Sequence, residues 1–326
     1  VDLSRYTLDN ISLISLQIGQ DDDIYQSAKA YASAGMINIS TLQGYTDHNG
    51  ESIRKKTDLS TTIRTGSYGL ISPSLLFHQQ FSRLGIGAYG SYERADGVYA
   101  FKLRNGIKTI NERRHNSDIE TWRGEINLDY QLNDKQILKW KTYGFTSHRG
   151  LPGAVIYDNT YSAERLVDKN VFTQLFYENK FSQRIKLKAA AKWNAHNHLS
   201  MSLSQAANPT RNSLWTALAT NYRIGQFTIN ASLLATNITE QVKLGNASDG
   251  FHRLSPAFSL QWRVLQDLRF RFGYKDIFRT PTLNELYYTG IGNRRLNPEK
   301  SRQWNLGATY SHTFNRALQL SLTADG

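Results

Sequence analysis

From about Thr57 onward, apolar and polar residues alternate one by one along most of the chain, the period of an extended strand with two differing faces. The clearest segment runs from Arg184 to Asn194. There Ile185, Leu187, Ala189, Ala191 and Trp193 point one way, and Arg184, Lys186, Lys188, Lys192 and Asn194 point the other. Leu268, Phe270, Phe272 and Tyr274 alternate with Arg269, Arg271 and Lys275. Phe227, Ile229, Ala231, Leu233 and Ala235 do so with Gln226, Thr228, Asn230 and Ser232. Gly124–Leu132, Phe258–Val264 and Leu318–Leu322 continue the pattern. A helix would scatter these residues around its circumference, so the pattern predicts an all-β chain.

The connections sort these strands in space. Tight ones fall at Ser82-Arg83, Leu132 to Lys135, Ser182-Gln183, Ile224 to Gln226, Leu265 to Asp267 and Phe314 to Arg316. Mostly long ones alternate with them: Asp96 to Ser117, Ser147 to Asp168, Asn197 to Arg211, Gln241 to His252 and Thr280 to Glu299. Short turns at one end and long loops at the other characterise a transmembrane antiparallel β-barrel. A soluble sandwich has no reason to keep its long loops at one end. Phe81, Tyr130, Phe181, Tyr222 and Phe314 fall beside short turns, and Trp122, Trp193 and Tyr274 towards the long loops, as two interfacial girdles would. The plainer alternative is that aromatics simply favour strands.

About thirteen strands are expected from Thr57, the last one cut off. An odd, open sheet would leave bare edges in lipid. The expectation is therefore part of a larger barrel, for which about 22 strands around a plugged lumen is one permitted size. Val1 is no initiator, no signal peptide precedes it, and Asp325-Gly326 ends in mid-pattern, so both termini read as cut.

Composition narrows the classes. No stretch approaches the roughly 18 apolar residues of a spanning helix, and mean hydropathy is −0.51, which excludes a helical membrane protein but not a barrel. With no cysteine, disulfides, thiolate zinc sites and cysteine nucleophiles drop out. The net charge of +12 raises nucleic acid as a partner. However, the basic residues are spread along strands and loops, as a solvated lumen explains, and no nucleic acid is expected. No rim grouping of Asp/His or Ser/His with an orienting partner stands out, so the chain is expected not to be an enzyme.

Residues 1–44 differ. Leu8 to Ile18 and Met36 to Thr41 are short strand patterns around Asp21-Asp22-Asp23 and the small residues Ser27 to Gly35. The stretch Asp9-Asn10-Ile11 through Gln20, followed by Ala32 to Ile39, resembles the end of the plug domain of TonB-dependent receptors. Gln20-Asp21-Asp22-Asp23 replaces the usual Gly-rich loop, closer to Bacteroidetes-type receptors. Arg149-Gly150-Leu151-Pro152-Gly153 resembles a loop motif of the same family. Phe278 through Tyr288, with Gly292-Asn293 and Leu296 through Ser301, resembles its long late-barrel signature, in a form closest to cobalamin receptors. Siderophore and haem receptors share parts of it.

The resemblance implies residues 1–44 as the C-terminal part of a plug and 45–326 as the N-terminal part of the barrel. It further implies an outer-membrane address, energy from TonB, and import of a scarce large nutrient, cobalamin first, with a ferric siderophore or haem as the alternative. No cofactor is implied. Outer-membrane lipid, lipopolysaccharide and a surface lipoprotein are the other expected partners; a porin or hydrolase is the rival class. Arg149, Tyr157, Tyr161, Tyr287, Tyr288, Asn293 and Arg294 offer aromatic faces and charge-assisted donors in the two motif-bearing loops, and are the expected ligand contacts. Each also reads as a loop-packing or water-facing side chain. Asp21, Asp22 and Asp23 offer carboxylates to calcium, or are a solvated acidic loop. His196 and His198, two apart, share a strand face and offer a haem or metal ligand pair.

Overall fold

The computed structural model describes residues 5–18, 35–41, 56–105, 107–153, 164–201, 208–288, 290–315 and 318–326. Asp21, Asp22, Asp23, Tyr157, Tyr161 and the 44/45 boundary lie outside the described residues.

Near the N-terminus, β1 (Ile11–Ile18) pairs antiparallel with β2 (Gly35–Thr41) in a sheet of their own. Leu8–Asn10, expected to begin that strand, instead forms a 3-10 turn. Then come β3 (Lys56–Gly66), β4 (Leu70–Gln80) and β5 (Leu84–Ala95). The long connection after β5 carries a hairpin the alternation did not reveal, β6 (Tyr99–Asn105) with β7 (Lys108–Arg114). The meander resumes with β8 (Ile119–Asn133), β9 (Gln136–Leu151), β10 (Glu164–Asn179), β11 (Ile185–Met201), β12 (Thr210–Ile224) and β13 (Phe227–Gln241). It ends with β14 (Phe251–Arg263), β15 (Leu268–Arg279), β16 (Glu299–Asn315) and β17 (Leu318–Asp325).

Omitting β6 and β7, these make one 13-stranded antiparallel sheet in sequence order, with β3 and β17 at its two edges. The expected count and topology are both met. One connection breaks the long-short rule: β3 and β4 join through Ser67–Gly69 at the long-loop end. That turn is held by Asp96, whose N–H donates to the Tyr68 carbonyl at 2.9 Å. Several strands outrun their expected ends. β9, β10 and β11 have 16, 16 and 17 residues, against the roughly 9–11 that cross a hydrocarbon core, so their long-loop ends project beyond it.

The sheet is inside-out relative to a soluble protein. On β8, Trp122, Ile126 and Tyr130 are 54%, 46% and 43% exposed, while Arg123, Glu125, Asn127 and Asp129 are 8% exposed or less. Elsewhere Leu59, Leu75, Val171, Leu218, Leu233 and Leu254 are exposed, and His78, Asn170, Asn221, Asn230 and Lys275 are buried. A polar group taken from water needs a partner. Accordingly Lys141 meets Glu125 at 3.0 Å, Arg123 meets Glu93 at 3.2 Å, and Lys188 meets Glu178 at 3.2 Å. Apolar side chains outward and paired charges inward suit acyl chains outside and a hydrated bore within. Phe227, Trp262 and Phe270 extend the short-turn aromatic row, with centroids 5.8 and 6.3 Å apart.

Candidate functional site

Two places on this scaffold gather chemistry: the lumen wall and the long-loop rim. Because strand side chains alternate, β9 sends Tyr143, Phe145, Ser147 and Arg149 to the lumen, β10 sends Asp168, Asn170 and Phe172, and β11 sends Lys192, Asn194, His196 and His198. Against this wall lies the N-terminal segment. Arg5 donates from Nη2 to Asp168 Oδ2 at 2.8 Å and stands 5.6 Å over the Phe145 ring. The Tyr6 ring stacks on Tyr143 at 5.7 Å, and Tyr143 Oη donates to the Arg5 carbonyl. Thr7 hydrogen-bonds Tyr89 on β5. Asp9 accepts from Arg64 on β3 at 2.6 Å and from Ser74 on β4 at 3.0 Å. Lys141 Nζ donates to Thr41 Oγ1 at 2.7 Å, tying β2 to β9. Most of these contacts are hydrogen bonds and ion pairs, whose net worth against water is modest.

At the rim, the late motif folds in a way its Pro and Gly did not announce. Pro281 ends the ladder, and α1 (Leu283–Tyr287) starts at Thr282 with a reciprocal capping box. Glu285 N–H donates to Thr282 Oγ1 at 3.2 Å, and Thr282 N–H donates to Glu285 Oε2 at 2.6 Å. That backbone donor holds the Glu285 carboxyl below its ordinary value of 4.5, with Thr282 Oγ1 and Arg279 adding to the effect. A depressed carboxylate stabilises the cap above its unfolded pKa and loses that contribution as pH falls through the folded one. Hydrogen exchange at the Leu286 amide, which donates to the Thr282 carbonyl at 3.2 Å, is expected to be unchanged from pH 7 to 5 after correction for intrinsic rates, and to accelerate below about pH 4. Equal protection at pH 3 would remove the cap from the account. Gly292 is required where it stands, because a Cβ there would meet the Tyr288 nitrogen at 2.6 Å.

Glu240, at the end of β13 with its side chain wholly buried, organises the rest of the rim. It is paired with Arg211 and accepts from Ser248 Oγ at 2.7 Å and Tyr287 Oη at 2.5 Å. Burial, then the hydrogen bond to Glu240, pushes the Tyr287 phenol above its usual value. Arg294 stands 5.6 Å over the Tyr287 ring and donates to the Asn246 carbonyl at 3.0 Å. Asn293 gives its N–H to the Glu285 carbonyl and accepts from the Arg295 N–H.

Of the sequence-predicted residues, Tyr287, Tyr288, Asn293 and Arg294 thus come together in one rim segment. Three of them are engaged in holding it, and Tyr288 is half exposed. Arg149 lies apart, still within β9 opposite Ile119 and Leu166; its motif reads as loop in the sequence, but the loop begins only at Pro152. Gly150 is needed there because a Cβ would run into the Asn116 carbonyl. Asp168, Glu240 and Arg5 were missed. Asp168 sat inside a supposed loop, and only strand register places it opposite His198.

A sheet with an apolar outer face and a polar, charge-paired inner face defines an outer-membrane β-barrel. Residues 19–324 match the family model described as TonB dependent receptor-like, beta-barrel, and the chain belongs to that family of outer-membrane proteins. No curated protein matches it by sequence. Among solved structures it is similar to the copper transporter OprC, with 13% identity and a TM-score of 0.62 over 92% of this chain and 56% of that one. It is also similar to the FrpB iron transporter of Neisseria meningitidis (F5-1 variant), with 15% identity and a TM-score of 0.60 over 93% and 59%. A third is BauA, the ferric preacinetobactin receptor of Acinetobacter baumannii, with 12% identity and a TM-score of 0.56 over 90% and 56%. The chain spans less than three fifths of the length of each of these structures.

Proposed function

We propose that the intact protein is a TonB-energised importer of a metal-bearing chelate, and that residues 1–44 end its plug while residues 45–326 begin its barrel. One observation carries the reading: residues 5–10 and Thr41 touch the inner wall through hydrogen bonds and ion pairs spread over β3, β4, β5, β9 and β10. An obstruction held by polar contacts in a hydrated bore is removable by a modest pull, whereas an apolar core is not. Cobalamin is the first cargo candidate, with a ferric siderophore or haem as the alternative. The late-barrel motif favours the first, and the names of the copper, iron and ferric preacinetobactin proteins favour metal cargo in general.

Binding of cyanocobalamin, haem and ferric siderophores to the intact receptor separates the candidates. One of them is expected to bind at the surface with or without TonB, and to enter the cell only with it. Uptake independent of TonB, or leakage of small solutes from receptor-bearing liposomes, would favour a porin. Because Tyr288 offers a half-exposed ring at the rim, Tyr288→Ala is expected to weaken ligand binding by up to about 10-fold, the scale of one lost aromatic contact. Unchanged affinity would remove that residue from the ligand surface.

A further inference from the structure

Asp168, His196 and His198 bring one carboxylate oxygen and two imidazole nitrogens within 4.8 Å of one another on the lumen wall. The sheet dictates this. His196 and His198 share a face of β11, and Asp168 on β10 is the register partner of His198. Arg5 of the N-terminal segment already places a positive charge on the same group. Its Nη2 lies 2.8 Å from Asp168 Oδ2 and 3.1 Å from His196 Nε2, while that same Nε2 lies 2.8 Å from Asp168 Oδ1.

Those last two contacts compete. A guanidinium only donates and a carboxylate only accepts, so one ring nitrogen cannot satisfy both. With its proton, Nε2 bonds Asp168 and faces an Arg5 donor it cannot accept; without it, the reverse holds. A divalent transition metal resolves the conflict, since it takes the nitrogen lone pair and the carboxylate oxygen together. Two imidazoles and one carboxylate are also a sufficient set for such an ion. They close to roughly 2.0–2.2 Å around it and leave a coordination position open.

We propose that Asp168, His196 and His198 form a transition-metal site that a divalent ion occupies in exchange for the Arg5 guanidinium, so that metal binding unfastens the N-terminal segment from the barrel wall. The site rests on side-chain geometry, and its value as a release trigger rests on the importer reading above. Arg149, on the same lumen face of β9, suits an anionic fourth ligand on the ion.

The test is titration of the intact receptor in detergent with Cu²⁺ and with Zn²⁺. One equivalent of Cu²⁺ is expected to bind with a paramagnetic resonance spectrum showing two imidazole nitrogens. His196→Gln and His198→Gln are expected each to lose one of those nitrogens and to weaken binding about 10-fold or more. Arg5→Met removes the competitor and is expected to bind either metal more tightly than the wild type. Hydrogen exchange of residues 5–10 is expected to rise on metal addition in the wild type. Circular dichroism of the β-sheet guards against misfolded variants; should a histidine variant misfold, Arg5→Met alone still decides. Wild-type affinity in both histidine variants, or weaker binding by Arg5→Met, would overturn the site. Metal binding with unchanged exchange would overturn the latch. Loss of TonB-dependent uptake as a property, with metal binding intact, would instead strike the importer reading and leave the site standing.

Discussion

Replacing Leu233 by arginine is expected to cost the protein about 2–4 kcal/mol in a bilayer, the penalty for a cation on the lipid face near the midplane. Leu233 is exposed on β13 and pairs with the equally exposed Leu218 on β12. The neighbouring Ser232 faces the other way, so Ser232→Arg puts the same charge into the hydrated bore and is expected to change stability by well under about 1 kcal/mol. Urea unfolding of the intact receptor from lipid vesicles measures both. The contrast between adjacent positions matters more than either value, because strand propensity and chain length are common to the two.

The second large effect is expected at Glu240. Its carboxylate is wholly buried, and Arg211 beside it is 13% exposed. Removing one member of a buried ion pair leaves the other charge stranded, at a cost of about 3–5 kcal/mol. Glu240→Ala also deprives Ser248 and Tyr287 of their acceptor. Two rim segments are therefore expected to loosen together, residues 242–250 and 283–294, with faster hydrogen exchange in both and little change in β8 to β11. Protection lost in only one segment would mean that Glu240 does not join them.

Much of this architecture was legible in the residues. Period-two alternation in Arg184 to Asn194 and its counterparts found the strands, and alternating connection lengths gave the meander and its two ends. The physical reason is that lipid and water face opposite sides of one sheet, which writes a simple rule into every strand. Other features were hidden because they depend on distant partners. In the β6–β7 hairpin, Tyr99, Phe101 and Leu103 alternate with Lys102 and Arg104, but both faces of β7 are polar, so the pair reads as part of one long connection. The α1 turn was covered by the attention Pro281 draws, although Thr282-Leu283-Asn284-Glu285 carries a helix-start signature in plain view. Asp168 gained meaning only once β10 was seen to start at Glu164, setting it across from His198. Tyr287 and Arg294 lie in the long loop expected from the sequence, where Tyr287 bonds Glu240 and Arg294 bonds the Asn246 carbonyl. An aromatic or an arginine in a loop motif signals contact without saying with what.

Residues 1–326 hold no cysteine, so a cysteine introduced in this sheet carries a label whose environment reports which face meets lipid. Single cysteines placed one at a time along β12 from 213 to 222, each carrying a nitroxide in the bilayer-embedded receptor, report accessibility to oxygen and to a polar nickel chelate. Labels at 214 and 218 are expected to meet oxygen in the acyl chains, and those at 213 and 221 to be shielded from it within the lumen, with a period of two throughout. Oxygen accessibility highest at 213 and 221, or no alternation at all, would contradict the outward-apolar barrel on which the account stands.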